Sequence, residues 1–150
     1  MPTTPKPRSR EYGWQYVWAW ISIGALAVGS LAPWAKSPFG TSVSGLDGSN
    51  DGWSVLGAAV IAAIVLARIQ IAPGRRVIGR VFLLVLIAGL SGLVAFVDRG
   101  NVSEKKLIEV GWGLNLTLVA AISLGLAAIA VHANRRSRRG EASDIEDTPS

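Results

Sequence analysis

The sequence contains no cysteine and only one histidine among its 150 residues. The lack of cysteine excludes disulfide bonds, a thiol nucleophile, thiolate metal sites and iron–sulfur clusters. The single histidine, His132, excludes a zinc site built from several histidines. Long stretches of the chain also lack charge, although 17% of all residues are charged. Because the charges are crowded between apolar stretches, the distribution rules out a soluble globular domain.

Four of the uncharged stretches have the length of a membrane-spanning helix, which needs about 20 mostly apolar residues. The only Asp, Glu, Lys, Arg or His residues within these stretches are Arg68, Arg80 and His132, and they lie close to the ends. The sequence therefore predicts an all-α integral membrane protein with a bundle of four transmembrane helices in residues 14–133. The four predicted spans are residues 14–34, 53–71, 77–97 and 112–133.

Lysine and arginine are distributed unevenly between the two sides of this predicted bundle. The two terminal segments and the junction of the second and third spans contain 11 of them, and the opposite side contains 4. Because basic residues favour the cytoplasmic side, we expect a multi-pass protein of the plasma membrane with both termini in the cytoplasm. The polar tails, residues 1–13 and 134–150, are predicted to be disordered. A cleaved signal peptide is the alternative for the first span, but its 21 residues exceed the usual apolar core of such a peptide.

Aromatic residues mark the predicted span boundaries, since tryptophan and tyrosine favour the headgroup level of a bilayer. Tyr12 and Trp14 lie at the cytoplasmic entry of the first span. Trp34, Trp53 and Trp112 lie at the external ends of the first, second and fourth spans. Trp18 and Trp20 lie deeper, so each indole N–H needs a hydrogen-bond partner inside the protein.

The first external loop is rich in glycine, serine and aspartate. Asp47, Ser49, Asp51 and Gly52 match the opening of a calcium-binding loop, but its twelfth position, which needs a bidentate acid, is Ala58. The favoured interpretation is a turn, with Asp51 or Ser54 capping the second helix. An external ion sensor that uses Asp47 and Asp51 is the alternative.

The central parts of the four predicted spans contain no ionisable residue. This absence excludes a proton-coupled antiporter of the small multidrug resistance type, which needs a membrane-embedded carboxylate in its first helix. It also excludes an intramembrane hydrolase, because no catalytic pair lies at a shared depth. Arg68 and Arg80 are expected to reach the interface and anchor the helices. The alternative is that they contact a phosphate or lipid headgroup together with Arg75 and Arg76.

Small residues occur at four-residue spacing in every predicted span, which allows close approach of helices. Packing within one bundle is the favoured reading, and contact with another membrane protein or a second copy is the alternative. These residues are Ala25 and Gly29; Ala59, Ala63 and Ala67; Ala88 and Gly92; and Ala121 and Gly125.

Three short motifs lie around the first external loop: Ala32-Pro33-Trp34, residues 44–48 with the sequence SGLDG, and Asp51-Gly52-Trp53. Together they resemble a pattern of small, uncharacterised four-span membrane proteins of actinobacteria. The resemblance covers residues 14–70 and implies a bacterial plasma membrane location. It implies no activity and no catalytic residue.

The sequence thus predicts a non-enzymatic membrane protein with an accessory or scaffolding role. The alternative is a small transporter, flippase or channel component that works as an oligomer. No catalytic, cofactor-binding or metal-binding residue is predicted, and no cofactor is expected. The expected partners are the lipid bilayer and either another membrane protein or further copies of the chain. The arginines of residues 135–139 are few and are followed by acids, so a nucleic-acid partner is not expected.

Overall fold

The described residues form four helices and three short strands. The structure is a computed structural model that describes residues 13–37, 39–47, 51–71, 77–103 and 109–146. The all-α fold class is confirmed, whereas the strands are not predicted by the sequence pattern. The elements are α1 (Trp14–Leu31), β1 (Pro33–Lys36), β2 (Ser42–Ser44), α2 (Asp51–Ile71), α3 (Val77–Ser103), β3 (Glu109–Val110) and α4 (Trp112–Glu146).

The helices form an up-and-down bundle in which each packs against the next in the chain and α4 returns to α1. The pairing of α1 with α4 is the most extensive helix contact, and that of α2 with α3 is the least extensive. The three strands form one sheet at the end where α1 and α3 end and where α2 and α4 begin. We call this the sheet end. The turn end is the opposite end, where α2 ends and α3 begins.

The bundle is apolar on its inside and on much of its outside. Each helix contributes a fully or almost fully buried leucine: Leu26, Leu66, Leu84 and Leu124. Each helix also exposes large apolar side chains on its outer face, for example Ile21, Ile64, Phe82 and Ile122. Helices that are apolar on all sides are suited to lipid surroundings, because lipid removes their outer apolar faces from water.

Three of the described helices are long and apolar enough to cross a membrane. The crossing segments are Asp51–Ile71 in α2, Ile78–Gly100 in α3 and Trp112–Asn134 in α4. Helix α1 has 18 residues, and its first turns contain Gln15, Tyr16 and several tryptophans, which lower its hydropathy. The structure therefore confirms helices of membrane-spanning length and apolarity for α2, α3 and α4.

Several boundaries differ from the predicted spans. Helix α1 ends at Leu31 rather than at Trp34, because Ala32 is extended and Pro33 lacks the N–H that would continue the helix. Helix α3 continues beyond Val97 to Ser103. Helix α4 continues to Glu146, where the sequence pattern predicted a disordered tail. The alanine, arginine and glutamate residues there favour a helix, and the first proline after them is Pro149.

Some predictions concern residues outside the described part of the chain. These are the N-terminal tail up to residue 12 with Tyr12, the residues Gly48, Ser49 and Asn50 of the first external loop, Arg75 and Arg76 between α2 and α3, and the lysines at 105 and 106. For Arg135 to Arg139 the structure describes the helical backbone of α4 only.

Candidate functional site

The most elaborate polar structure is the sheet at the sheet end of the bundle. Its order is β2-β1-β3, so β1 is the central strand and both of its neighbours are antiparallel to it. Ala35 of β1 is opposite Val43 of β2 and Val110 of β3. The segment before α2 and the segment before α4 are therefore joined through β1, which directly follows α1.

Trp34 of β1 folds back over the end of α1. Its indole Nε1–H donates a hydrogen bond of 2.9 Å to the carbonyl of Gly29, and the side chain is only 6% exposed. The last carbonyls of a helix have no partner within it, so Trp34 satisfies one of them. The placement of Trp34 at the lipid interface was therefore wrong. By contrast, Trp53 and Trp112 at the starts of α2 and α4 are exposed.

Glycines allow the sheet and the helix ends to approach closely. A Cβ atom on Gly52, in the first turn of α2, would overlap the backbone of Gly45. A Cβ atom on Gly45 would lie 2.6 Å from the carbonyl oxygen of Ser30 and would also meet Trp34. A side chain at either glycine would force backbone to move, so both positions require glycine.

The three motifs noted in the sequence are the residues that build this region. Pro33 and Trp34 belong to β1, Gly45 follows β2, and Gly52 lies in the first turn of α2. The amide of Gly111, just before α4, donates a hydrogen bond of 2.7 Å to the carbonyl of Trp34. Gly111 was missed by the sequence reasoning, although glycines recurring next to tryptophans were a visible signal. We call the sheet, Trp34, Gly45, Gly52 and Gly111 the glycine–tryptophan cap.

Asp47 is part of a turn in the structure. Its carboxylate Oδ2 accepts hydrogen bonds from the hydroxyl of Ser44 at 2.8 Å and from the amide of Ser44 at 3.3 Å. This geometry agrees with the favoured turn interpretation. Within the described residues, no group of three or more His, Cys, Asp or Glu side chains is placed to hold a metal ion. Asp51 is the first residue of α2.

A second polar cluster lies between α1 and α4, where its side chains are buried or partly buried. The Nε1–H of Trp18 donates to the hydroxyl of Ser123 at 2.7 Å. The hydroxyl oxygens of Ser22 and Ser123 are 2.9 Å apart, and the Ser22 hydroxyl also reaches the carbonyl of Trp18 at 3.0 Å. Trp18 thus obtains the partner that its depth requires, whereas Trp20 lies on the exposed face of α1.

The predicted stripes of small residues line helix contacts inside the chain. A Cβ atom on Gly29 of α1 would lie 2.5 Å from the hydroxyl of Thr117 in α4. A Cβ atom on Gly92 of α3 would lie 3.5 Å from Cβ of Ala121, and one on Gly125 of α4 would lie 3.8 Å from Cβ of Ala88. Helix α4 therefore approaches both of its neighbours closely through glycine and alanine.

The charged helical side chains that the structure describes lie near the ends of α2 and α3. At the turn end, Arg80 Nη1 donates a hydrogen bond of 3.0 Å to the carbonyl of Arg68. Asp98 lies in the C-terminal part of α3, and its Oδ2 is buried without a hydrogen-bond partner among the described residues. His132 is exposed near the end of the candidate span of α4.

The geometry defines a helical bundle with at least three membrane-type helices, closed at one end by a small sheet. No family model, no curated protein and no solved structure matches the chain.

Proposed function

We propose that all four helices cross the membrane and that both termini face the cytoplasm of a bacterial cell. Three observations support α1 as the fourth span. Its described residues contain no charge, its outer face is apolar like those of the other helices, and it packs along α4 for most of its length. A helix of 18 residues is about 27 Å long, close to the roughly 30 Å of a bilayer core.

The absence of cysteine makes a direct topology test possible. Single cysteines are introduced at Phe39, which is exposed between β1 and β2, and at the C-terminal Ser150. In intact cells we expect a membrane-impermeant maleimide to label the cysteine at 39 and to label the one at 150 only after permeabilisation. Labelling of both positions, or of neither, in intact cells would contradict the proposed orientation.

Within this topology we propose an accessory or scaffolding role without enzymatic activity. The supporting observation is the close approach of α4 to α1 and α3 at Gly29, Gly92 and Gly125. The hydroxyls of Ser22 and Ser123 and the indole of Trp18 are satisfied by one another there. Such an interior provides rigidity, and rigidity suits a protein that positions other membrane components.

A transporter or channel component that works as an oligomer is the second candidate. The observation that favours it is Ser91 in α3, which is buried and whose hydroxyl has no hydrogen-bond partner among the described residues. A buried hydroxyl without a hydrogen-bond partner lowers the unfolding free energy of a protein. A substrate or water molecule that passes Ser91 would supply the missing partner.

Crosslinking in the membrane separates the two candidates. A photoreactive amino acid is placed on the outer face of α2 at Ile64, or of α3 at Phe82, both exposed, and the adducts are identified by mass spectrometry. A scaffolding protein is expected to crosslink to a different membrane protein. Adducts only with further copies of the chain would favour the oligomeric transporter. Adducts with lipid alone would contradict both.

A further inference from the structure

Among the residues whose side chains the structure describes, four hydroxyl side chains are buried: those of Ser22, Ser30, Ser91 and Thr117. Three of them donate to a carbonyl three or four residues earlier in the same helix, at 2.7 to 3.0 Å. This bond to the preceding turn is a common way to satisfy a serine or threonine within a helix. Ser91 in α3 makes no such bond: it is 2% exposed, and its hydroxyl has no hydrogen-bond partner in the described part of the chain. The Ser91 hydroxyl is therefore turned away from the carbonyls of the preceding turn.

The polar cluster of Trp18, Ser22 and Ser123 does not supply the missing partner. The Ser22 hydroxyl donates its one proton to the carbonyl of Trp18, so Ser123 donates the 2.9 Å bond between the two serines. The Ser123 hydroxyl in turn accepts the indole N–H of Trp18. The three residues thus form a closed ring of hydrogen bonds, and Ser91 is not part of it.

Ser91 lies deep in the candidate span of α3, which runs from Ile78 to Gly100. The nearer end of the span is nine residues away, or about 14 Å along the helix. The nearest charged residues on either side in α3 are Arg80 and Asp98, eleven and seven residues away. A charged ligand at this depth would have no counter-charge from α3, and burying an unpaired charge is costly. A partner for the Ser91 hydroxyl is therefore expected to be uncharged.

A small gap borders Ser91 on the side of α4. Ala88, Ser91 and Gly92 are neighbours on the helix surface, because residues three and four apart lie on the same face. A Cβ atom on Gly92 would have one neighbour within 4 Å, the Cβ of Ala121 at 3.5 Å, which is an ordinary van der Waals distance. A methyl group would therefore fit beside Gly92. A water molecule is of similar size and fits the same gap.

We propose that the hydroxyl of Ser91 binds a water molecule in the gap between α3 and α4. The water supplies the missing partner and donates to a carbonyl of α3, because a backbone carbonyl keeps a second lone pair beside its helical hydrogen bond. Buried waters commonly satisfy polar groups that a chain leaves unpaired. The same site would accept another small, uncharged, hydrogen-bonding molecule, which gives the second candidate function a class of substrate. The inference rests on the proposed membrane-spanning arrangement, in which Ser91 lies near the middle of the bilayer.

The test is proton-detected solid-state NMR of the full chain in lipid, which records magnetisation transfer from water to backbone amide protons. In the wild-type chain we expect a water cross-peak at the amide protons of Ser91 and Gly92. Gly92→Ala should abolish this cross-peak, because its methyl group occupies the gap and meets only Ala121. The Ser91 hydroxyl remains in this variant, so the loss identifies water rather than the hydroxyl proton as the source. Ser91→Ala should abolish the cross-peak as well, because the water loses the hydroxyl that holds it.

Gly89→Ala is the matched control, since Gly89 is on the exposed face of α3 and nothing lies within 4 Å of a Cβ atom there. It should leave the cross-peak unchanged. A wild-type chain without the cross-peak would overturn the proposal, and so would a cross-peak that persists in Gly92→Ala. Equal losses in Gly89→Ala and Gly92→Ala would show that the signal does not depend on the gap, which also overturns the proposal.

Recovery of the chain in the membrane fraction after a carbonate wash distinguishes the two levels of failure. A chain absent from that fraction contradicts the membrane-spanning function itself. A chain that is present there but shows no water cross-peak contradicts only the proposal for Ser91. Far-UV circular dichroism of each variant shows whether the helices are retained.

Discussion

The pair α1–α4 and the pair α2–α3 are held together in different ways. Between α1 and α4 there are hydrogen bonds from Trp18 to Ser123 and between Ser22 and Ser123, and a close approach at Gly29. Between α2 and α3 the contact is less extensive. Helix α2 has an apolar buried face, with Val55, Ala59, Leu66 and Ile69 among its residues.

This difference indicates that one bundle uses two means of stabilisation. In lipid, burying an apolar side chain between helices gains no hydrophobic free energy. Helices therefore associate through close packing and polar contacts. The α1–α4 pair has both, whereas α2 depends on the shape of its buried side chains and on its contact with the cap at Gly52. Four substitutions test this comparison, and they follow from the largest expected effect to the smallest.

The largest effect is expected for Leu66→Ala in α2. Leu66 is fully buried, so its truncation leaves a cavity and should cost about 2–5 kcal/mol of unfolding free energy. Denaturation with SDS in mixed micelles, followed by circular dichroism, measures this change. Ile64→Ala is the control, because Ile64 is on the exposed face of the same helix. Similar losses in both variants would show that α2 is not held by its buried face.

Gly52→Ala should have the next largest effect, about 1–3 kcal/mol and towards the upper end of that range. The new Cβ atom would overlap the backbone of Gly45, which has no flexible side chain that could move aside. The same denaturation experiment measures the loss. The control is Gly57→Ala in α2, since nothing lies within 4 Å of a Cβ atom there. It should be neutral or slightly stabilising, as alanine favours helices.

Gly29→Ala tests the close approach of α1 and α4. Its Cβ atom would lie 2.5 Å from the Thr117 hydroxyl and 2.9 Å from the Thr117 amide nitrogen, so α1 and α4 would have to separate. We expect a loss of about 1–2 kcal/mol, the lower part of the range for overpacking. Gly24→Ala in the same helix meets nothing within 4 Å and serves as the control. If Gly29→Ala has the same unfolding free energy as the wild-type chain, close packing at Gly29 does not stabilise the α1–α4 pair.

Trp18→Phe should have the smallest effect, because it removes one hydrogen bond to Ser123 and keeps most of the aromatic ring. Interhelical hydrogen bonds in membrane proteins average about 0.6 kcal/mol. A double-mutant cycle with Ser123→Ala measures the coupling energy of the pair directly. Trp20→Phe on the exposed face is the control. A coupling energy near zero would leave packing as the only difference between the two helix pairs.

The sequence predicted the helices well because their apolar stretches are long and contain few charges. It also placed Trp53 and Trp112 at the ends of apolar stretches, and both side chains are exposed in the structure. Trp34 shows the limit of that reasoning: it lies at the end of an apolar stretch, but Pro33 turns the chain and a carbonyl of α1 is within reach of its indole. Such an arrangement depends on the path of the chain rather than on hydropathy.

The sheet could not be predicted from the local pattern either. Strands β1, β2 and β3 contain only four, three and two residues, too few for an alternating pattern to be recognised. Their pairing depends on the positions of α1, α2 and α4, which bring the segments together. The glycines at 45, 52 and 111 were visible in the sequence, but their role follows from contacts between segments distant along the chain.

The central position of β1 has a consequence for the order of assembly during synthesis. Its partner β2 follows within a short hairpin, so this pairing forms as soon as the first two helices are in place. Its other partner, β3, is separated from it by the whole of α2 and α3. Because chains fold from the N-terminus as they emerge, the edge of β1 that β3 covers stays open until α3 and β3 have been synthesised. The sheet can therefore be completed only after α3 has been synthesised, directly before α4, which begins at Trp112.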